Sequence, residues 1–266
     1  MGIHSFVFLA IACFCAAFID AISGGGGLIT VPAYLASGLP PHIALGTNKV
    51  AVFFSATSSF TKFAQSGKVN WVLAKRTALF SLAGAALGVV TVVKFIASRY
   101  LYPIAIVMLL AVLIYTLYNK NMGTTNAFRG LTDQNVFRWS LMAFALGFYD
   151  GFFGPGTGSF LIFALIKIFH YDFTNASGNA KVYNLMSNIG SVIFFAIFGK
   201  ANYILAVSIG LIMMVGGFLG AKFAVRGGAK FIKPVFLSIT TIVLTKMILE
   251  SVFHMDVAGA LAKLFA

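Results

Sequence analysis

The feature that most limits the fold is a series of long blocks without a single charge, at 6–19, 79–93, 104–117 and 204–219. A helix needs about 20 mostly apolar residues to cross a bilayer, and the blocks reach that length with their flanks. Hydrocarbon offers backbone groups no water, so each crossing segment must pair its own, as a helix does. A membrane β-barrel would show alternating segments of roughly ten residues, and the sequence has none. Composition agrees, because 60% of the 266 residues are hydrophobic, 9% are charged and the mean hydropathy is +0.96. Soluble domains carry about 25% charged residues to stay wetted. The expected class is an all-α polytopic membrane protein lodged in a lipid bilayer.

The chain also repeats itself. Residues 46–70 and 178–202 are identical at ten of 25 positions at an offset of 132, including Gly46/Gly178, Lys49/Lys181, Ser55/Ser187 and Asn70/Asn202. Gly84 and Gly88 match Gly216 and Gly220 in the same register. Pro103 matches Pro234 at offset 131, and upstream, at offset 130, Asp20, Gly24 and Gly26 match Asp150, Gly154 and Gly156. The expected organisation is a first membrane repeat at 1–118, a polar cytoplasmic linker at 119–137, a second repeat at 138–254 and a short tail at 255–266.

Each half reads as five hydrophobic segments: 4–22, 27–38, 44–66, 76–97 and 101–118, then 138–152, 156–170, 178–198, 204–224 and 233–252. An odd number per half makes the second half enter from the opposite side, giving inverted repeats. Loop charge leads to the same topology. The net charge is +13, but the basic residues gather in short connections near 67–75, 119–137 and 225–232, with Lys68, Lys75, Arg76, Arg138, Arg226 and Lys230 among them. That is the pattern of cytoplasmic loops, not of a nucleic-acid surface, and no nucleic-acid partner is expected. Both termini then face outward. Residues 3–19 lack the basic n-region of a secretory signal and read as the first membrane helix. Cys13 and Cys15 lie inside that block and offer neither a disulfide framework nor a zinc site.

Segments 27–38 and 156–170 are short for a full span, and each follows a glycine-rich break. The breaks are Gly24-Gly25-Gly26-Gly27 after Ser23, and Gly154-Pro155-Gly156-Thr157-Gly158-Ser159. Backbone broken at membrane depth must sit in protein or line a wet cavity, so broken or re-entrant helices are expected. A helix N-terminus exposes unpaired N–H groups and the positive end of the dipole, which together hold an anion without a charged side chain. Close helix packing through small residues is the competing explanation. Asp20 and Asp150, beside the breaks, are candidates for a proton-coupling carboxylate or for caps on the glycine turns. A nucleotide phosphate loop is excluded, since no strand precedes the glycines and no Gly-Lys-Ser/Thr ends them.

Lys49 and Lys181 stand near the starts of matched helices. By helical spacing, Lys181, Asn184, Asn188 and Ser191 share a face, with Ser187 adjoining. The first half keeps Lys49, Ser55 and Ser59 but has Val52 and Ala56 opposite the asparagines. With Thr47, Asn48 and Asn179, these groups are expected to form a cationic, donor-rich lining. The alternatives are lysines snorkelling to the interface and polar residues gluing helices. His4, His42, His170 and His254 have no partner at ligand spacing, and Trp71, Trp139, Tyr100, Tyr102 and Tyr203 read as interfacial belt residues. No Ser-His-Asp, Cys-His or paired-carboxylate set points to an enzyme, and no cofactor is expected.

The segment from Gly24-Gly25-Gly26-Gly27-Leu28-Ile29-Thr30-Val31-Pro32, followed by Gly38-Leu39-Pro40-Pro41-His42-Ile43-Ala44-Leu45-Gly46-Thr47-Asn48-Lys49, resembles the TauE/SafE sulfite-exporter family. Gly147-Phe148-Tyr149-Asp150-Gly151-Phe152-Phe153-Gly154-Pro155-Gly156-Thr157-Gly158-Ser159 is similar to the second-half signature of its YfcA-like branch. The resemblance implies a bacterial inner-membrane transporter with inverted repeats, associated with sulfite, sulfoacetate and related sulfur-containing or organic anions, often by export. The expected function is therefore a secondary transporter of a small anion, with proton coupling through Asp20 or Asp150. A passive anion channel of the same architecture is the alternative, and a homodimer is an assembly open to either.

Overall fold

A computed structural model describes residues 3–95, 110, 114 and 123–252. Among them are eight helices and no strand: α1 (Ile3–Ser23), α2 (Gly27–Ala36), α3 (Pro41–Gln65), α4 (Trp71–Phe95), α5 (Asp133–Phe152), α6 (Thr157–Phe169), α7 (Phe173–Ile197) and α8 (Tyr203–Val252). The expected segment 101–118, the tail 255–266 and the belt candidates Tyr100 and Tyr102 lie outside the described residues, apart from positions 110 and 114.

Local chemistry sets the helix ends. Asp172 caps α7 by accepting from Asn175 N at 2.7 Å, and Thr132 and Asn135 close a reciprocal capping box on α5, each supplying a partner for an otherwise orphaned N–H. Helices α3 and α7 end alike, at Gly67 (φ 68°) and Gly199 (φ 61°), a conformation glycine adopts without penalty. The next amide then bonds back into the helix, Lys68 N to Phe63 O and Lys200 N to Phe195 O.

The helices pack through small residues. A Cβ on Gly84 or Gly88 of α4 would strike the carbonyl of Phe144 or Phe148 on α5, and one on Gly216 or Gly220 of α8 would strike that of Phe14 or Phe18 on α1. Likewise, a Cβ on Gly46 would meet Lys200 O, and one on Gly178 would meet Lys68 O. Asn202 N donates to Thr47 Oγ1 and Asn70 N to Asn179 Oδ1, both at 2.9 Å. Contacts made by one half are thus repeated by offset-matched residues of the other.

Among the described residues, four helical stretches are long and apolar enough to cross a membrane: Ser5–Ser23, Trp71–Phe95, Phe173–Ile197 and Tyr203–Ser238. Large apolar side chains face outward from α4 (Trp71, Leu79, Leu87, Phe95) and from α8 (Ile204, Leu211, Val215). Water would not tolerate such a surface, whereas lipid does, and the chain is a multi-pass membrane protein.

Two expectations are corrected. Trp139 is not a belt residue; it is fully buried, edge-on to Tyr183 and Phe169 in the core between α5, α6 and α7. Residues 225–232 are not an open loop either. They are helical on both sides of Gly228, where the backbone (φ 62°, ψ −164°) breaks α8 at a single residue.

Candidate functional site

The two glycine breaks meet. Gly24 lies so close to the backbone of Gly158 and Ser159 that a Cβ would collide with both, and a Cβ on Gly158 would stand 2.7 Å from Gly24 Cα. Positive φ at Gly24 (74°), Gly25 (99°), Gly154 (92°) and Gly156 (84°) lets the chain turn from α1 into α2 and from α5 into α6. Side chains hold the turns. Tyr149 Oη donates to Pro155 O and Thr157 Oγ1 to Gly154 O, each at 2.7 Å, while Ser159 Oγ donates to Ser23 O at 3.1 Å across the junction.

Both helix starts face one small cavity of about 30 Å³, bounded by Gly25–Gly27 at the head of α2 and Gly156–Gly158 at the head of α6. Asp20, Lys49, Asn48, Ser55, Asp150, Asn184 and Asn188 also line it. Both helices thus turn the positive end of their dipole towards the cavity.

Two ion pairs cross beside it. Lys49 Nζ on α3 is 3.0 Å from Asp150 Oδ1 on α5, and Ser187 Oγ on α7 donates to Asp150 Oδ2 at 2.7 Å. Lys181 Nζ on α7 donates to Asp20 Oδ2 at 2.7 Å and to Asp20 O at 2.6 Å, while Gly26 N donates to Asp20 Oδ1 at 3.1 Å. Burying a charge costs several kcal/mol per ion, a cost offset only by short, well-satisfied contacts of this kind. The lysines are therefore neither snorkelling nor free cations: at 5% and 1% exposure, both are buried against carboxylates. One oxygen of Asp20 caps the glycine turn, one of the two roles expected of it, and the other receives Lys181. The four charges sum to zero.

Eight expected residues do not line the cavity: Gly24, Thr47, Ser59, Ser159, Asn179, Lys181, Ser187 and Ser191. Gly24 and Ser159 join the two breaks. Thr47 and Asn179 accept the amides of Asn202 and Asn70, fastening the connections after α7 and α3. Lys181 and Ser187 stand behind the two carboxylates. Conversely, Thr30, Val52, Phe153 and Met213 line the cavity without having been expected to. Val52 was visible in the sequence as the position matching Asn184, and Thr30 as the one aliphatic hydroxyl inside α2; nothing local marks Met213.

Four buried oxygens on cavity-lining residues have no hydrogen-bond partner. Thr30 Oγ1, Asn48 Oδ1, Asn184 Oδ1 and Asn188 Oδ1 are buried and unpaired in the protein. Such groups are uncommon in native structures unless water or a ligand serves them.

A family model described as "Sulfite exporter TauE/SafE" matches residues 9–247. The "Probable membrane transporter protein ORF9" of Sinorhizobium sp is 36% identical over 254 residues, covering 96% of each chain. A "Probable membrane transporter protein" of Haemophilus influenzae is 33% identical over 258 residues, covering 94% of this chain and 97% of its own. The "Probable membrane transporter protein YfcA" of Escherichia coli (strain K12) is 31% identical over 241 residues, covering 89% and 87%. No solved structure matches the chain significantly.

Proposed function

The chain belongs to the sulfite exporter TauE/SafE family, and on that premise we propose that it is a secondary transporter exporting small anions such as sulfite, organosulfonates or related organic acids. It works in the bacterial inner membrane with its N-terminus in the periplasm. Its halves are inverted repeats, and α2 and α6 are re-entrant helices whose starts meet partway through the membrane. The observation that carries this reading is the convergence of two helix N-termini and the Lys49 ammonium on one cavity.

The chemistry follows from the ion pair. An anion entering the cavity competes with the Asp150 carboxylate for Lys49. The displaced carboxylate keeps its Ser187 hydrogen bond but loses its counter-charge, and an uncompensated buried charge is costly. Taking up a proton removes that cost, so anion and proton movement are coupled at Asp150. The Asp20–Lys181 pair, whose lysine donates to both the carboxylate and the main-chain oxygen of Asp20, holds the halves together meanwhile.

Flux of sulfite or a sulfonate into proteoliposomes, with and without an imposed pH gradient, tests this. Saturable flux that follows the gradient, and loses that dependence in Asp150→Asn, is the expected result. Unsaturable flux would identify a channel, and gradient-independent flux in the unaltered protein would end the coupling claim.

A further inference from the structure

The transport chemistry makes no use of the basic residues where α3 and α8 run side by side. The two helices touch closely: Ser58 Oγ donates to Met214 O at 2.8 Å, and a Cβ on Gly217 would stand 2.7 Å from Ser55 O. One turn beyond that contact, Lys62 Nζ lies 5.9 Å from the centre of the Phe218 ring. Phe218, Lys222 and Arg226 follow at four-residue spacing on α8, ahead of the break at Gly228, so they share a face. Lys62 and Lys222 are half-buried and Arg226 is exposed, while the rings of Phe218 and Phe223 are 40% and 53% exposed.

Among the described residues, no carboxylate pairs with Lys62, Lys222 or Arg226. Three like charges gathered on adjoining helices repel one another, and an anion between them would relieve the repulsion. The cluster is also confined to one half, because the positions matching Lys62 and Lys222 at offset 132 are Phe194 and Val90. The duplicated scaffold stands without it. Depth then selects the kind of anion. Residues 201–221 carry no charge, a run about as long in helical form as the hydrocarbon layer is thick. Lys222 therefore falls at the edge of that layer, from which a lysine stem reaches the headgroups. A soluble anion would meet the cations but ignore the exposed rings beside them. A lipid phosphate brings charge and acyl chains together, as basic pockets between membrane helices require.

We propose that Lys62, Lys222 and Arg226 form a binding site for the phosphate of an anionic phospholipid, with its acyl chains laid along Phe218 and Phe223. The bound lipid clasps α8 to α3, the helix that carries Lys49 to the cavity.

Native mass spectrometry of the purified full-length protein, titrated in detergent with dioleoyl-phosphatidylglycerol or dioleoyl-phosphatidylcholine, tests this. Phosphatidylglycerol should bind roughly tenfold more tightly than phosphatidylcholine or better. Lys62→Gln, Lys222→Gln and Arg226→Gln should each weaken its binding about fivefold. Arg138→Gln, which removes an exposed cation from α5, should leave it unchanged, and excess glycerol 1-phosphate should not displace the lipid. If one variant folds poorly, the other two and the contrast between the lipids decide. Equal binding of the two lipids would overturn the proposal. So would a loss in Arg138→Gln as large as in the three variants, which would mean diffuse attraction to a charged surface. Displacement by glycerol 1-phosphate would assign the cluster to a soluble anion instead. None of these results touches the transporter reading, since the three cations do not line the cavity.

Discussion

Lys49 Nζ stands 3.0 Å from Asp150 Oδ1, and the offset-matched residues Lys181 and Asp20 repeat the contact at 2.7 Å. Each pair joins a helix of one half to a helix of the other, yet the two are not equivalent. Lys49 lines the cavity; Lys181 is closed off by the carboxylate and the main-chain oxygen of Asp20. One pair is placed to exchange partners, the other to hold.

The holding pair should behave as a coupled unit. Removing one member of a buried ion pair leaves the other uncompensated, at about 3–5 kcal/mol, whereas removing both relieves the penalty. Asp20→Asn and Lys181→Met should each lower the unfolding temperature in detergent. The double variant should unfold at a higher temperature than either single one. Additive losses would show that the pair is not coupled.

The two lysines should separate in transport kinetics. Lys49→Gln removes a charged donor from the cavity wall and should raise the KM for the anion roughly tenfold or more. Lys181→Gln should lower stability and the amount of folded protein while leaving KM nearly unchanged. Similar KM values in the two variants would contradict this assignment.

The junction of the two breaks should tolerate no added carbon. Gly158→Ala puts a Cβ 2.7 Å from Gly24 Cα, against backbone that cannot rotate away. Both helix starts must then shift, and anion affinity should fall with stability. Gly199→Ala has open space around it and carries only the left-handed φ of 61°, a cost of about 1–2 kcal/mol. Its KM should match that of the unaltered protein. Equal KM in the two variants would mean the junction does not shape the site.

Thr47 and Asn179 belong to the connections rather than the cavity. Thr47→Val and Asn179→Leu each leave a backbone amide without its acceptor, costing about 1–3 kcal/mol. A lowered unfolding temperature with unaltered KM is expected from transport assays on the surviving folded fraction. A raised KM with unchanged stability would return either residue to the binding site.

The sequence alone carried the helical class, most helix positions, the two breaks and the duplication, because these rest on properties of neighbouring residues. Long uncharged runs demand helices in lipid, glycine permits positive φ wherever it stands, and a copied segment keeps its spacing. Asp20, Asp150, Lys49 and Lys181 were singled out for the same reason, since a charge inside an apolar run is visible without knowing what it touches. Only the tertiary structure decided the partners. Asp20 and Lys181 lie 161 positions apart, and no local pattern says which lysine meets which carboxylate or which one stays on the cavity wall. The same holds for Trp139, whose burial depends on α6 and α7 packing over it, and for Met213, which α8 brings to the cavity from the far end of the chain. Local preference is written in adjacent residues, but a site lined by seven helices exists only once their surfaces have met.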